Sequence, residues 1–272
     1  MNWTTQKFET QKYEMNHIKR NLLSLWQQFI FEMTFSIKSD PWKSTSLYQQ
    51  TKYQQTIDLL GCGQITQALE LGCAEGYLTA LLAPRVDKLI AADISQIALK
   101  RARACCSNQK LENINFLQLD MNHDLLPQSN DLIVCSEVLY YINGQKALQA
   151  VAQKLVDALN PGGYLLATHS LRVNQEPSRH RLDWLLPFGA IFIGEILAST
   201  YPLVLVREIR TPRYRIQLFQ YASPTKVVSP FSLPEITELT QFQLPQCEDG
   251  VLDGFSLAFL YNQLVSLFNT RR

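Results

Sequence analysis

The chain has 272 residues, of which 46% are hydrophobic and 18% charged, enough for one large domain with a full core. Lys and Arg number 25 against 24 Asp and Glu, which gives a formal net charge of +1. Because nucleic-acid binders usually carry a basic excess, this balance predicts a protein that acts on a small molecule and has no nucleic-acid partner.

Two helical segments are expected before the first strand. The apolar pattern predicts an amphipathic helix over residues 13–37 and a second helix over 45–60, with a break at Pro41. The apolar run at 21–37 is interrupted by Gln27, Gln28 and Glu32, so it is too polar to span a bilayer. Neither a signal-peptide pattern nor C-x-x-C spacing is seen, so we expect a cytoplasmic protein without a membrane partner.

From residue 67 onward, short apolar runs alternate with helical stretches. The runs are "QALELG", "KLIAADIS", "INFLQLD", "DLIVCSEV", "YLLATHS", "LVLVREIR" and "YRIQLFQY". Continuous apolar runs between helices are typical of strands buried on both faces of a parallel sheet. The predicted fold class is therefore α/β, with a doubly wound, mostly parallel seven-stranded sheet and an antiparallel edge hairpin made by the last two runs.

The same pattern suggests three parts of the chain. We expect N-terminal helices that form a lid over residues 1–60 and a sheet domain over 61–221. We expect residues 222–272 to be a C-terminal extension that packs on the core or forms a dimer contact.

The turn within "LELGCAEGYLTALLAP" joins an acid to a series of small residues. Gly72 and Ala74 could begin a dinucleotide-binding fingerprint, but Tyr77 occupies the place of its last small residue. Glu70 would also repel a pyrophosphate, and the Gly-Lys-Ser/Thr of a P-loop is missing. Glu70 suits an ammonium group, while the helix that begins near Gly76 suits a carboxylate. The turn therefore predicts a ligand that resembles a zwitterionic amino acid.

Two further acids end the next two strands. Asp93 follows "LIAA" and suits ribose hydroxyls, because such acids lie about 20 residues beyond the glycine turn. Asp120 follows "FLQL" and could accept from an exocyclic amine, with Met121 against a purine face. Because open α/β sheets bind ligands at the carboxyl ends of their strands, the three acids together predict a crevice for S-adenosylmethionine. We expect no metal.

These stretches resemble a class I S-adenosylmethionine-dependent methyltransferase. "LELGCAEG", "AADIS" and "LQLD" match its first three motifs, and "DLIVCSEVLYYI" and "LNPGGYLLATHS" match later ones. More narrowly, "SDPWKSTSLYQQTKYQQTIDLL", "SEVLYYI" and "TPRYRIQLF" are similar to the NodS-like methyltransferases, relatives of a nodulation enzyme that N-methylates a deacetylated chitooligosaccharide. The resemblance covers about residues 38–221 and implies a Rossmann-like methyltransferase fold.

The motifs and the strand ends together nominate the site residues. The cofactor-binding candidates are Trp42, Tyr48, Glu70, Gly72, Cys73, Ala74, Gly76, Asp93, Ile94, Asp120, Met121 and Ser136. The catalytic candidates are Glu137, which could hold an acceptor ammonium or take its proton, His169 as a general base, and Tyr140 as a wall of the methyl site. The acceptor-binding candidates are Tyr141, Arg181, Asp183, Trp184 and Phe188. Each of these side chains also has a purely structural interpretation, as a turn cap or as packing.

The predicted activity is transfer of a methyl group to a small-molecule acceptor, chiefly an amine of an amino sugar or another metabolite, by a protein that could form a homodimer. Three alternatives stay open. They are a small-molecule O-methyltransferase, a nicotinamide-dependent oxidoreductase and a non-catalytic nucleoside-binding protein.

Overall fold

The computed structural model describes residues 24–61, 63–142, 144–171, 189–222 and 235–239. Its helices are residues 24–37 (α1), Leu47–Asp58 (α2), Tyr77–Leu82 (α3), Gln96–Asn108 (α4), Gln145–Ala158 (α5) and Ala190–Ser199 (α6). Its strands are Gln67–Leu71 (β1), Lys88–Asp93 (β2), Ile114–Gln118 (β3), Asn130–Ser136 (β4), Leu159–Ser170 (β5), Leu203–Arg210 (β6), Tyr214–Tyr221 (β7) and Glu235–Glu238 (β8). Short 3₁₀ turns cover Ala83–Arg85 and Leu139–Tyr141.

The strands form one sheet in the order β3-β2-β1-β4-β5-β7-β6-β8. Strands β1 to β5 pair in parallel, and β7 lies antiparallel between β5 and β6. The predicted α/β class, a doubly wound and mostly parallel sheet with an antiparallel hairpin toward one edge, is confirmed.

Two details differ from the sequence prediction. An eighth strand, β8, pairs in parallel with β6 outside the hairpin. Its four residues are all exposed and form no apolar run, so periodicity could not reveal it. Strand β5 also begins at Leu159 and passes through Gly162 and Gly163, a pair that in sequence signals a turn; its register against β4 shifts there, as at a bulge.

Helices cover both faces of the sheet. One core cluster joins α5 and α6 to β1 through Leu69 and Leu71, and the other joins α2 and α3 to Ala68. Because side chains alternate along a strand, Glu70 faces the side of Ala68, where α2, α3 and α4 pack. The sequence therefore buries a carboxylate at the end of the central strand β1.

No described helix has both the length and the apolar character needed to cross a membrane. The proposed division at residues 60 and 221 stays a prediction. Strand β8 belongs to the stretch expected to be the C-terminal extension, and it extends the sheet.

Candidate functional site

The turn after β1 is held by the neighbouring strand β2. The N–H groups of Gly72 and Cys73 donate to the carbonyl oxygen of Ala92 at 2.8 and 3.0 Å. The N–H of Ala74, a residue with φ 47°, donates to Asp93 Oδ2 at 2.9 Å. These three loop amides are therefore satisfied within the protein, and they are less open to a ligand than the sequence suggested.

Gly76 begins α3 with φ 83°, and its N–H donates to the Cys73 carbonyl oxygen at 2.9 Å. A Cβ at Gly76 would lie 2.9 Å from the Cα of Ala102, so this glycine allows α3 and α4 to approach closely. The Cys73 side chain packs into the buried cluster around Ala102 and Leu99. Cys73 can therefore face a ligand only through its backbone.

Glu70 is a buried carboxylate with an unsatisfied oxygen. Its side chain is 2% exposed, and Oε2 has no hydrogen-bond partner among the described residues. Burial raises the pKa of Glu70 to about 7. A buried polar atom without a partner calls for an explanation, and an ammonium ligand would supply both a donor and a compensating charge.

Asp93 ends β2 and ties the turn to the next helix. Its Oδ2 accepts from Ala74, and its Oδ1 accepts from the N–H of Ser95 at 2.9 Å. Burial raises the pKa of Asp93 to about 6. The carbonyl oxygen of Ile94, the next residue, accepts from the Gln118 side chain at 3.0 Å.

Asp120 lies beyond the end of β3, beside Asp93. The N–H of Leu119 donates to the Asp93 carbonyl oxygen at 3.0 Å, which fixes this proximity. Asp120 Oδ2 accepts from the Ser24 hydroxyl of α1. Met121 packs against the core cluster on the α5 side. The structure thus brings the acids at the carboxyl ends of β1, β2 and β3 to one edge of three adjacent strands, as the sequence predicted.

Helix α1 lies across this edge, and it is attached there by a residue that the sequence analysis did not single out. Glu32 of α1 accepts from the Ser95 hydroxyl at 2.7 Å and from the N–H groups of Gln96 and Ile97 at 2.7 and 3.1 Å. It therefore caps α4 from another helix. In the sequence, Glu32 is only a polar interruption of an apolar run, because its partners lie more than sixty residues away.

We expect Glu32→Ala to loosen α1 without unfolding the sheet domain. The variant loses charge-assisted hydrogen bonds to the start of α4, and such bonds contribute about 1.5–3 kcal/mol. Hydrogen exchange of the α1 amides should become faster, while amides of β1 and β4 should keep their protection. Ser36→Ala, at an exposed position of α1, is the matched control. Unchanged exchange in α1 would contradict a capping role for Glu32.

Trp42 lies between α1 and α2. Its ring meets those of Phe31 and Phe35 edge-on, with centroids 6.4 Å away in both cases. Arg101 of α4 donates to the carbonyl oxygens of Lys38 and Ser39 at 2.8 and 2.9 Å, just before this tryptophan. The α1–α2 connection is thus attached to the cofactor side of the sheet, and a direct contact of Trp42 with a cofactor stays a prediction.

The cofactor-binding candidate Ser136 and the catalytic candidate Glu137 lie at the end of β4. Ser136 is the last residue of β4 and pairs with Thr168 of β5. Glu137 follows in a left-handed conformation, φ 56°, with its N–H bonded to the Thr168 carbonyl oxygen at 2.8 Å. Its Oε1 accepts from Lys52 Nζ of α2 at 2.7 Å. A non-glycine residue held at positive φ is often found at a functional site, and here it presents Glu137 to α2.

His169 is poorly suited to the general-base role that the sequence proposed. Its side chain is 2% exposed, and its Nε2 has no partner among the described residues. Burial, with the charge of Lys52 as a second cause, lowers the pKa of His169 to about 3. The imidazole is therefore neutral near physiological pH and takes up a proton only with difficulty.

The two tyrosines of the "LYY" turn have different environments. The Tyr140 hydroxyl oxygen accepts from the N–H of Ser170 at 2.7 Å, and its ring packs edge-on against His169 at 5.1 Å. The ring centroids of Tyr141 and Phe31 of α1 are 5.0 Å apart, and burial raises the pKa of Tyr141. Tyr48 is buried on α2 and packs against Tyr214 at 5.8 Å. These contacts are structural, and the proposed ligand contacts stay predictions.

The remaining acceptor-binding candidates, Arg181, Asp183, Trp184 and Phe188, lie outside the described residues. Across the described ranges, no three His, Cys, Asp or Glu side chains are grouped in a way that could hold a metal ion.

Comparison with known proteins gives evidence that is independent of the site geometry. Residues 30–177, more than half of the chain, match the family model described as nodulation protein S (NodS). The chain is 34% identical over 137 residues to nodulation protein S of Sinorhizobium fredii and 33% identical over 129 residues to that of Bradyrhizobium diazoefficiens. These alignments cover 50% and 47% of this chain but only 62% and 61% of the two relatives.

One solved structure is similar to a larger share of this chain than these two relatives are. The N-methyltransferase NodS from Bradyrhizobium japonicum WM9, in complex with S-adenosyl-L-homocysteine, matches with a TM-score of 0.62 and 25% identity. The match covers 71% of this chain and 97% of that one.

Proposed function

We propose that this chain, which belongs to the nodulation protein S (NodS) family, is an S-adenosylmethionine-dependent methyltransferase that methylates an amine nitrogen of a small acceptor. The observation that carries the proposal is the buried carboxylate of Glu70 near the carboxyl end of β1, whose Oε2 has no hydrogen-bond partner among the described residues. The family match supports it, since residues 30–177 include every described candidate of the site.

The residues present fit S-adenosylmethionine. Glu70 would take the ammonium of its amino-acid part, because the unsatisfied Oε2 needs a donor. Asp93 would face the ribose, and Asp120 with Met121 the adenine. When bound, the cofactor supplies a methyl group on a positively charged sulfur, which a nucleophile displaces in line. The protein's task is to position the acceptor and to exclude water.

An amine acceptor suits the chemistry after β4. Glu137 is 28% exposed, so it can meet a ligand from solvent, and it can hold an ammonium through charge-assisted hydrogen bonds. His169, neutral and buried, offers no competing positive charge. Tyr140 holds the end of β5 through Ser170 and so fixes the wall next to Glu137. We favour a nitrogen acceptor because one similar solved protein is an N-methyltransferase of the NodS type. We favour an amino sugar because the sequence motifs resemble those of the NodS-like methyltransferases.

The test is methyl transfer to glucosamine oligomers from a cofactor with a ¹³C-labelled methyl group. We expect a new N-methyl signal by NMR, and none with the matched N-acetylated oligomers, which lack a free amine. Calorimetry should also detect S-adenosylhomocysteine binding. A new methyl signal on oxygen, or equal transfer to the acetylated oligomers, would contradict the amine acceptor.

We expect Glu137→Gln to slow methyl transfer without weakening cofactor binding. The amide keeps the shape of the side chain but loses the charge-assisted hydrogen bond that would hold the acceptor amine in place, so kcat should fall at least about ten-fold. Affinity for S-adenosylhomocysteine should stay within about two-fold, because Glu70 and Asp93 are unchanged. A variant with full kcat would remove Glu137 from the acceptor site.

A further inference from the structure

We propose that Lys52 is a positioning residue that sets the protonation state of the acceptor. Its ammonium, fixed on Glu137, disfavours the charged form of an amine that binds beside the same carboxylate. The inference rests on the proposed amine methylation and deepens it. An amine must lose its proton before its lone pair can take a methyl group, and Glu137 alone would stabilise the ammonium instead.

The Lys52–Glu137 ion pair joins a buried cation to a partly exposed carboxylate. The side chain of Lys52 is 2% exposed and that of Glu137 is 28% exposed. Only Oε1 of Glu137 is engaged, by Lys52 Nζ at 2.7 Å; its Oε2 accepts no hydrogen bond from the described residues. The carboxylate thus has a buried cation on one oxygen and a second oxygen for a ligand that enters from solvent.

Lys52 is held in place on several sides. Its ammonium lies 5.5 Å from the ring centroid of Tyr48 and 5.8 Å from that of Tyr214, which are distances for cation–π attraction. The Tyr214 hydroxyl donates to Gln55 Oε1 at 2.6 Å, and the Lys52 carbonyl oxygen accepts from the Thr56 hydroxyl at 2.8 Å. A lysine fixed in this way keeps its charge at one distance from Glu137.

Other titratable groups lie around the Lys52–Glu137 pair, and they also contribute to the electrostatic potential at the carboxylate. They are Tyr48 and Tyr53 on α2, Glu70 at the end of β1, Tyr141 after β4, His169 on β5, and Arg213 with Tyr214 at the start of β7. Arg213 lies over the other side of the Tyr48 ring, at 5.6 Å from its centroid. Lys52 is the cation in direct contact with the carboxylate, and its charge is the second cause of the lowered pKa of His169.

The consequence for an amine follows from charge balance. A bound ammonium would place two cations on one carboxylate, whereas a bound neutral amine leaves one cation and one anion. The like charge of Lys52 therefore favours release of the acceptor's proton, which can leave to solvent at the exposed side of Glu137. The neutral nitrogen then keeps the lone pair that forms the new N–C bond.

We test this with Lys52→Met, which keeps the length of the side chain and removes its charge. We expect the acid limb of the kcat–pH profile to move up by about one pH unit, since kcat reports the bound state. At about pH 6, the variant should bind glucosamine oligomers and methylammonium at least about ten-fold more tightly than the parent protein, because Glu137 is no longer neutralised. A merely structural role would weaken binding instead.

The matched control is Lys52→Arg, which keeps the charge and should keep the acid limb of the parent. Melting temperatures and S-adenosylhomocysteine binding show whether Lys52→Met is folded, and Lys52→Gln is a second neutral variant. An unmoved acid limb with weaker amine binding in both neutral variants would overturn the inference while leaving amine methylation intact.

Different results would contradict the proposed amine methylation. If the parent protein methylates no amine, but the neutral variants still bind methylammonium more tightly, the proposed function is wrong; Lys52 then controls ammonium binding at Glu137 but has no role in methyl transfer. If neither the parent nor the variants bind any ammonium probe, the ammonium site itself is wrong and both proposals fall.

Discussion

Replacing Glu70 with glutamine is expected to lower the affinity for S-adenosylhomocysteine at least ten-fold, roughly the effect of losing one charge-assisted hydrogen bond. In the absence of ligand, the same substitution is expected to raise the free energy of unfolding at about pH 8. The two effects have one cause. Glu70 is a buried carboxylate whose Oε2 has no hydrogen-bond partner among the described residues, so the charge that would serve a ligand destabilises the protein alone.

The sign of the stability effect follows from linkage. Burial raises the pKa of Glu70 from 4.5 to about 7, so the folded protein binds more protons than the unfolded chain between these values. Stability is therefore lost as the pH rises through this window, and a neutral glutamine removes the loss. Because a tenfold change in a proton-binding constant corresponds to about 1.4 kcal/mol, the difference above the window is on the order of 3 kcal/mol.

Denaturant unfolding at about pH 4 and about pH 8, on either side of the window, measures this effect. The stability difference between the Glu70→Gln variant and the parent protein should be small at the lower pH and large at the higher one. Glu112→Gln, an exposed position on the same domain, should change neither stability nor affinity. A glutamine variant that is less stable at both pH values and binds the ligand normally would show that Glu70 is structural.

Asp93 gives a useful contrast, because its two oxygens already accept from the N–H groups of Ala74 and Ser95. Asp93→Ala should also lower affinity at least about ten-fold, but it should destabilise the protein by leaving two backbone donors unsatisfied, one of them buried. Opposite changes in stability with the same loss of affinity would separate a ligand-binding acid from one that also holds the turn.

The sequence could predict the sheet and the acids along its edge because those signals are local. Apolar runs mark the buried strands, and Glu70, Asp93 and Asp120 each follow directly on such a run. Parallel pairing then brings the strand ends together without further information. The short, exposed strand β8 has no such signal.

The parts that escaped prediction depend on contacts between distant segments. Glu32 reaches the start of α4 across more than sixty residues, and Lys52 reaches Glu137 across 85. No spacing rule predicts which helix covers which strand end. His169 illustrates a second limit: its residue type suggests a base near neutral pH, but burial, which the sequence does not report, lowers its pKa to about 3.

Gly72→Ala is expected to destabilise the protein by roughly 2–5 kcal/mol, from left-handed strain together with overpacking. Gly72 has φ 73°, and a Cβ there would lie 2.6 Å from Cγ2 of Val138. Gly162→Ala is the matched control, since Gly162 has φ 84° but nothing within 4 Å of the added atom. The control should lose only about 1–2 kcal/mol. Equal losses in the two variants, measured by denaturant unfolding, would show that the contact with Val138 does not matter.

The double variant Gly72→Ala with Val138→Ala tests that contact directly. Removing the methyl carbon that clashes should recover at least about 1 kcal/mol relative to the sum of the two single losses, as residues in contact are not additive. Full recovery is not expected, because Cβ of Val138 would still lie 3.0 Å from the new methyl group and the strain at positive φ persists. Since Val138 follows Glu137, recovery would also show that the turn after β1 packs directly against the segment that carries Glu137. Strict additivity would mean that backbone strain alone makes glycine necessary at this turn.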